Sequence, residues 1–245
     1  MTKRFRPTFW ATVVTLPVLF VLLAFGTWQI QRLEWKNTLI ENRATRITNP
    51  PIPVAALAGV RDGRVDDAGV ALLEYMPVDL RGTYVTAEPM RLMPRIRDGM
   101  RGFHVVALFE ADAPLGMVLV DRGWAPIDAR LGTMRPPTGL VRVEGFLRLF
   151  VTPGPFVPSN EPDANNWFFM DEAAMLAASG MPTGVPAGFY VQAGPNASGP
   201  TTYPSGAVPK VNLRNSHLEY AVTWYLLALV LAVIFVIFHW RRDET

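Results

Sequence analysis

Two long apolar runs bracket the chain, and an alternating pattern fills the space between them. Phe9 to Ile30 carries no charge and is broken only by Pro17, Gly26 and a few Thr and Gln, while Ala221 to Trp240 is almost unbroken Val, Leu, Ile, Ala and Phe. Each has the roughly 20 residues needed to cross about 30 Å of hydrocarbon. The pattern predicts transmembrane helices over 9–30 and 221–240, tails at 1–8 and 241–245, and a separate domain over 31–220. Within that domain the period falls to two. "YMPVDLRGTYV", "EPMRLMPRIR", "GFHVVALFEAD", "GMVLVDRGWAP" and "LVRVEGFLRLF" are short β-rich runs separated by Gly, Pro and Asp, and "GFYVQAG" reads as a closing strand. The "TNPPIPVAAL" stretch at 48–57 reads as a proline-rich linker that ends the first helix. "DEAAMLAASG" is the one clear soluble helix, with Asp171 as cap and Gly180 as stop. The Pro- and Gly-rich tract from Gly194 to Pro209 leads back to the second span. The expected fold is a membrane protein of α+β class: two transmembrane helices flanking an antiparallel β-rich domain, barrel or sandwich-like, with one soluble helix.

Composition narrows the function classes. The 245 residues are half hydrophobic with a net charge of only +2, and the basic residues are scattered among acids, so no nucleic-acid footprint is indicated. There is no cysteine, which removes disulfides, thiolate metal sites and cysteine nucleophiles. Lys3, Arg4 and Arg6 precede the first run and Arg241 and Arg242 follow the second, so both tails are expected in the cytoplasm and the middle outside. A cleaved signal peptide fits the first run less well, because the run is long and "AFGTWQIQR" offers no small-x-small site. With about eight residues ahead of the span and no Arg- and Ser-rich presequence, the expected location is the inner membrane of a bacterium, with the domain in the periplasm.

Catalytic signatures are missing: no HExxH, no GxSxG, no phosphate loop and no paired-His spacing. The chain is not expected to be an enzyme. His104, the only histidine of the middle domain, is read as structural, and Asp121 and Arg122 as residues that a strand-ending turn would want. The informative residues sit where the spans meet the outer leaflet. Trp28, Arg32 and Trp35 share a face of a first helix that continues past the lipid, and His217, Tyr220, Ala221 and Trp224 share a face of the second. An aromatic belt explains most of them. It does not explain His217, whose imidazole is a good ligand for haem iron when its other nitrogen is held by a carbonyl or an amide. Trp28, Tyr220 and Trp224 would then pack on the macrocycle, and Arg32, Lys36 or Arg214 would pair with propionates. Glu219 points elsewhere by helical phase. His239 lies about 33 Å along the same helix and reads, with Trp240, Arg241 and Arg242, as an anchor at the other surface.

With these motifs in hand, "GTWQIQRLEWKNTLI", "VDRGWAP", "NNWFFMD" and "NSHLEYAVTWY" in that order between two flanking spans, the chain resembles the Surfeit locus protein 1 family, assembly factors of haem-copper cytochrome oxidase. The resemblance runs over nearly the whole length, and Asp121 stands where many members carry Asn. It implies a non-enzymatic helper that holds haem a as cargo and aids its insertion into the large oxidase subunit. His217 occupies the position implicated in haem binding in bacterial members, and Trp28 and Trp224 fall on family motif positions. The implied partners are the large subunit of cytochrome c oxidase, the haem a synthesis machinery and membrane lipid. A cofactor-free membrane scaffold gripping a partly assembled oxidase subunit is the competing reading, and a periplasmic hydrolase built on His104 a distant third.

Overall fold

The computed structural model describes residues 3–5, 7–85, 88–181, 186–195, 203–207 and 215–242. In chain order the elements are β1 (Lys3–Phe5), α1 (Phe9–Ile47), α2 (Val54–Arg61), α3 (Asp67–Leu73), β2 (Pro77–Tyr84), β3 (Met90–Arg97), β4 (Met100–Ala111), β5 (Gly116–Pro126), β6 (Val141–Leu149), β7 (Asn166–Trp167), α4 (Glu172–Ala178), β8 (Phe189–Ala193), α5 (His217–His239) and β9 (Trp240–Arg242). They fall into two compact units, Met1–Asn42 with Val211–Thr245, and Arg43–Lys210. The α+β class with two apolar flanking helices holds.

The helical unit pairs α1 with α5. At 39 residues α1 is close to 58 Å long, nearly twice the hydrocarbon thickness, so one unbroken helix carries the apolar stretch and the polar extension beyond Ile30. Helix α5 has 23 residues. Small groups let the two backbones come close, as lipid-embedded helix pairs require. Gly26, Ala221 and Ala228 are buried, and a Cβ on Gly26 would stand 2.8 Å from Cε1 of Tyr225. Phe25 stacks on Trp224 at 5.0 Å between ring centres. Beyond the helices, β1 and β9 form a short antiparallel ribbon.

In the second unit all six quoted β-rich runs form strands within one to three residues of their expected places. Their order is β2-β6-β8-β5-β4-β3-β7, and a further pairing of β2 with β4 turns the first five into a closed barrel. Strand β4 makes this possible by its length. Its first half carries β3, its last residues take Gly82 to Tyr84 of β2, and β5 runs along nearly all of it. Closure removes two edges that would otherwise invite a foreign strand. The sheet is not wholly antiparallel as expected: β8 lies parallel to β5, and β7 parallel to β3. Alternation along β5 shows why its run looks almost uniformly apolar, since Val118 and Val120 enter one core with Phe109, Leu147 and Phe189, while Leu119 enters another with Val106, Leu108 and Trp167.

Helix α4 forms where predicted. The Asp171 carboxylate accepts from the N–H of Ala174 at 3.1 Å, Gly180 takes a positive φ just past the end, and Met175 and Leu176 cover the second core. The expected linker at 48–57 is corrected over its second half: Val54 to Leu57 begin α2, with Pro53 as the residue before the first turn. Leu57 and Val60 of that helix and Leu73 of α3 cap the first core. These two short helices carry too few residues for a 3.6 period to stand out. Much of the 194–209 tract lies outside the described residues, but Ser205 forms an antiparallel bridge with Trp124, each N–H donating to the other's carbonyl at 2.9 Å.

Gly123 is what allows that bridge. Its φ is +123°, and a Cβ there would collide with the Ser205 carbonyl. Gly123→Ala is expected to cost on the order of 2–4 kcal/mol, from backbone strain together with the lost bridge. A thermal melt of the detergent-solubilised protein followed by circular dichroism measures it, and an unchanged midpoint contradicts the account.

Candidate functional site

Of the residues expected at the outer membrane surface, the α1–α5 seam brings His217 against Gln29 and Trp224 against Phe25. The buried stripe of α1 runs through Gly26 and Gln29, and that of α5 through Ala221 and Ala228. His217 opens α5 one turn before Ala221 and so faces α1. Its Nδ1 lies 2.7 Å from Oε1 of Gln29. A carboxamide oxygen only accepts, so Nδ1 is the donor in this contact, and in the neutral ring Nε2 is then the nitrogen with the lone pair. An amide side chain therefore does hold the ring, although Gln29, the residue supplying it, was passed over in the sequence as one of the polar interruptions of an apolar run. Asn215 donates to Asn37 Oδ1 at 2.8 Å on the same seam.

Helical phase puts Trp28, Arg32 and Trp35 on a face of α1 turned away from its buried Gly26–Gln29 stripe, and Tyr220 and Trp224 on a side of α5 where Trp224 stacks on Phe25. Trp28 and Tyr220 are half exposed, at 52% and 57%. Two members are already engaged: Trp224 with Phe25, and Arg32, whose guanidinium lies 3.8 Å over the Trp35 ring. Glu219 is exposed on another side, as its phase implies. Arg214 lies outside the described residues. His239 differs sharply from His217. It is fully buried, with Nε2 2.9 Å from the Thr8 hydroxyl and Nδ1 2.7 Å from the Phe235 carbonyl, so both nitrogens are taken.

The barrel unit holds a second polar centre. His104 Nδ1 lies 2.6 Å from Oδ2 of Asp121, whose Oδ1 accepts from the Gly123 N–H at 3.0 Å and whose Oδ2 is 3.5 Å from the amide nitrogen of Gln192. Asp121 is 2% exposed and lies within β5 rather than at its end, which corrects the turn reading. It is a buried carboxylate satisfied by three donors. Arg122, on the opposite side of the strand, donates to the Met134 carbonyl at 2.5 Å and sits 5.4 Å from the Tyr84 ring centre. Burial pushes the Tyr84 phenol above its ordinary range, against the opposing pull of Arg122. Among the described residues no cluster of three or more His, Asp or Glu side chains could hold a metal ion.

Comparison with known proteins completes the description. The model of the SURF1 family matches residues 16–229, from the first apolar helix into the second. The chain belongs to the SURF1 family. Surfeit locus protein 1 of Mus musculus is 34% identical over 219 residues, covering 82% of this chain and 66% of that protein. The Homo sapiens protein of the same name is 33% identical over 223 residues, covering 82% and 68%. A SURF1-like protein of Monosiga brevicollis is 28% identical and covers 96% of this chain. The chain thus spans about two thirds of the length of the mouse and human relatives. Within this SURF1 family chain, the match takes in both partners of the His217–Gln29 contact and the whole of the barrel.

Removal of the Asp121 carboxylate separates the barrel centre from the helix pair. Asp121→Ala leaves His104 Nδ1 and the Gly123 N–H without their acceptor and is expected to cost roughly 2–4 kcal/mol, with Asp121→Asn costing less. Unfolding midpoints of the three proteins measure the difference, and equal midpoints count against a satisfied buried charge.

Proposed function

We propose that this protein is a membrane-bound assembly factor of haem-copper cytochrome oxidase that holds haem a and aids its insertion into the large subunit. The observation that carries this reading is the hydrogen bond from His217 to Gln29. It makes Nδ1 the donor, so that the neutral imidazole would offer Nε2 to iron. The Tyr225 ring fills the space over Gly26, so the side of the seam marked by the Phe25–Trp224 stack and the exposed Tyr220, with Trp28 further round α1, is the one open to a flat apolar ligand. Trp224 extends that surface, and Arg32 supplies the cation for a propionate once it leaves the Trp35 ring. Haem a is cargo. Its redox chemistry belongs to the oxidase, and the residues here bind, orient and release it without making or breaking a bond, so the protein acts as a carrier and not as an enzyme.

The reading includes a location. The protein sits in the inner membrane of a bacterium with both tails cytoplasmic and the barrel in the periplasm, receives haem a from the synthesis machinery within the lipid, and passes it to the oxidase subunit. Two contacts favour the cofactor-free scaffold instead: Trp224 on Phe25 and Arg32 on Trp35 already satisfy one another.

An optical experiment decides between them. Co-expressed with haem a synthesis and purified in detergent, the parent is expected to show Soret and alpha bands of bound haem a, and His217→Ala to lose them. Gln29→Leu is expected to retain the bands with roughly 10–100-fold weaker binding, the effect of losing a hydrogen bond behind a ligating imidazole. No haem in the parent, or identical spectra for parent and His217→Ala, leaves the scaffold.

A further inference from the structure

The haem reading makes no use of the cavity in the barrel unit, which the last turns of α1 help to line. That cavity has a volume of about 350 Å³, within the range of small-molecule sites. Its polar wall is cationic. The guanidinium carbons of Arg43 and Arg148 lie 4.7 and 4.5 Å from the centre of one ring, that of Tyr75. Arg97 comes from β3 and is held by the Ser205 hydroxyl at 2.9 Å. His104, whose Nδ1 is engaged by Asp121, also lines the cavity.

The carboxylates near these cations stand outside the lining. Asp121 is covered by His104, Gly123 and Gln192, Glu74 touches Arg148 from behind at 3.4 Å, and Asp98 is 3.9 Å from Arg97. Among the described residues Arg43 has no carboxylate within ion-pair distance. Three guanidinium groups are thus gathered on one concave surface; Arg43 and Arg148 share one aromatic ring, and Arg43 has no counter-charge among the described residues. Their mutual repulsion is relieved by an anion, and the guanidinium fork matches the paired oxygens of a carboxylate or phosphate. The rest of the wall is apolar, with Ile96, Trp124 and Phe146.

We propose that this cavity binds a small organic oxyanion, a carboxylate or phosphate carried on an apolar body, with the acid group on Arg43, Arg148 and Arg97 and the body against Trp124 and Phe146. Gln192 ties the site together: it accepts from Arg148 Nη1 at 3.0 Å and donates to Asp121, so the charge that orients His104 and the cation that meets the ligand share one hydrogen-bond chain. The inference is independent of the haem reading, since none of these residues lies on the α1–α5 seam.

The test uses the full chain in nonionic detergent, titrated calorimetrically with benzoate and with phenyl phosphate, and with benzamide as the neutral control. At least one anion is expected to bind, at least about tenfold more tightly than benzamide. Arg43→Gln, which removes a guanidinium resting on the Tyr75 ring, is expected to weaken that anion at least about tenfold while the thermal midpoint stays at the parent value. Arg97→Gln is expected to act in the same direction and serves where Arg43→Gln does not fold. The stronger of the two anions identifies the acid group. Absence of binding by both anions, equal binding of benzamide, or parent affinity in the folded variants overturns the proposal.

Discussion

Lipid offers no hydrogen bonds, so every polar group on two apolar helices must find its partner inside the protein. The α1–α5 pair meets that constraint with a ladder of side-chain contacts from one end to the other: Asn37 with Asn215, Gln29 with His217, Thr27 with Tyr225, and Thr8 with His239. These pairings fix the register of two helices whose apolar surfaces alone specify little, because lipid tails solvate leucine as well as another helix does. Within this ladder one rung is incomplete. His239 is satisfied at both nitrogens and acts as a structural tie, whereas among the described residues His217 is partnered at one. The same residue type at the two ends of one helix thus carries different chemistry, set by what the opposite helix provides.

The barrel solves a different problem. A five-strand closure needs a strand able to pair on both sides at different heights, and the twelve residues of β4 supply it. The shift in register between His104 and Val106 in the β4–β5 ladder is where the His104–Asp121 contact occurs. An irregularity in the ladder turns a side chain away from the strict alternation. Here it turns the imidazole towards a buried carboxylate that would otherwise be costly.

How much could be read from the chain follows from the same physics. The strands were legible because Val, Leu and Phe alternate with Arg, Asp and Thr between Gly and Pro breaks, and α4 because Asp171 and Gly180 bracket an alanine-rich turn. The two spans were legible by length alone. Asp121 was misread, since Asp before Arg-Gly has the local composition of a turn, and only the long-range pairing of β5 with β4 and β8 reveals that it is enclosed. Gln29 was invisible for the opposite reason: one amide in an apolar run looks like an interruption until a partner 188 residues away is placed beside it. Short helices such as α2, and the parallel pairing of β7 and β8, depend on tertiary closure and leave no periodic trace.

The position of β8 in the barrel has a consequence for the order of folding. It lies between β5 and β6, yet it is the last strand of the barrel to be synthesised, following β6 by some forty residues. As the chain emerges, β5 and β6 can each form on their other sides, but the facing edges stay bare until Phe189 to Ala193 arrive. Such a nascent intermediate has two unpaired edges and a large loop still to close, both of which slow maturation and expose it to wrong partners. Completion of the domain is thereby timed to the moment just before the second apolar helix appears.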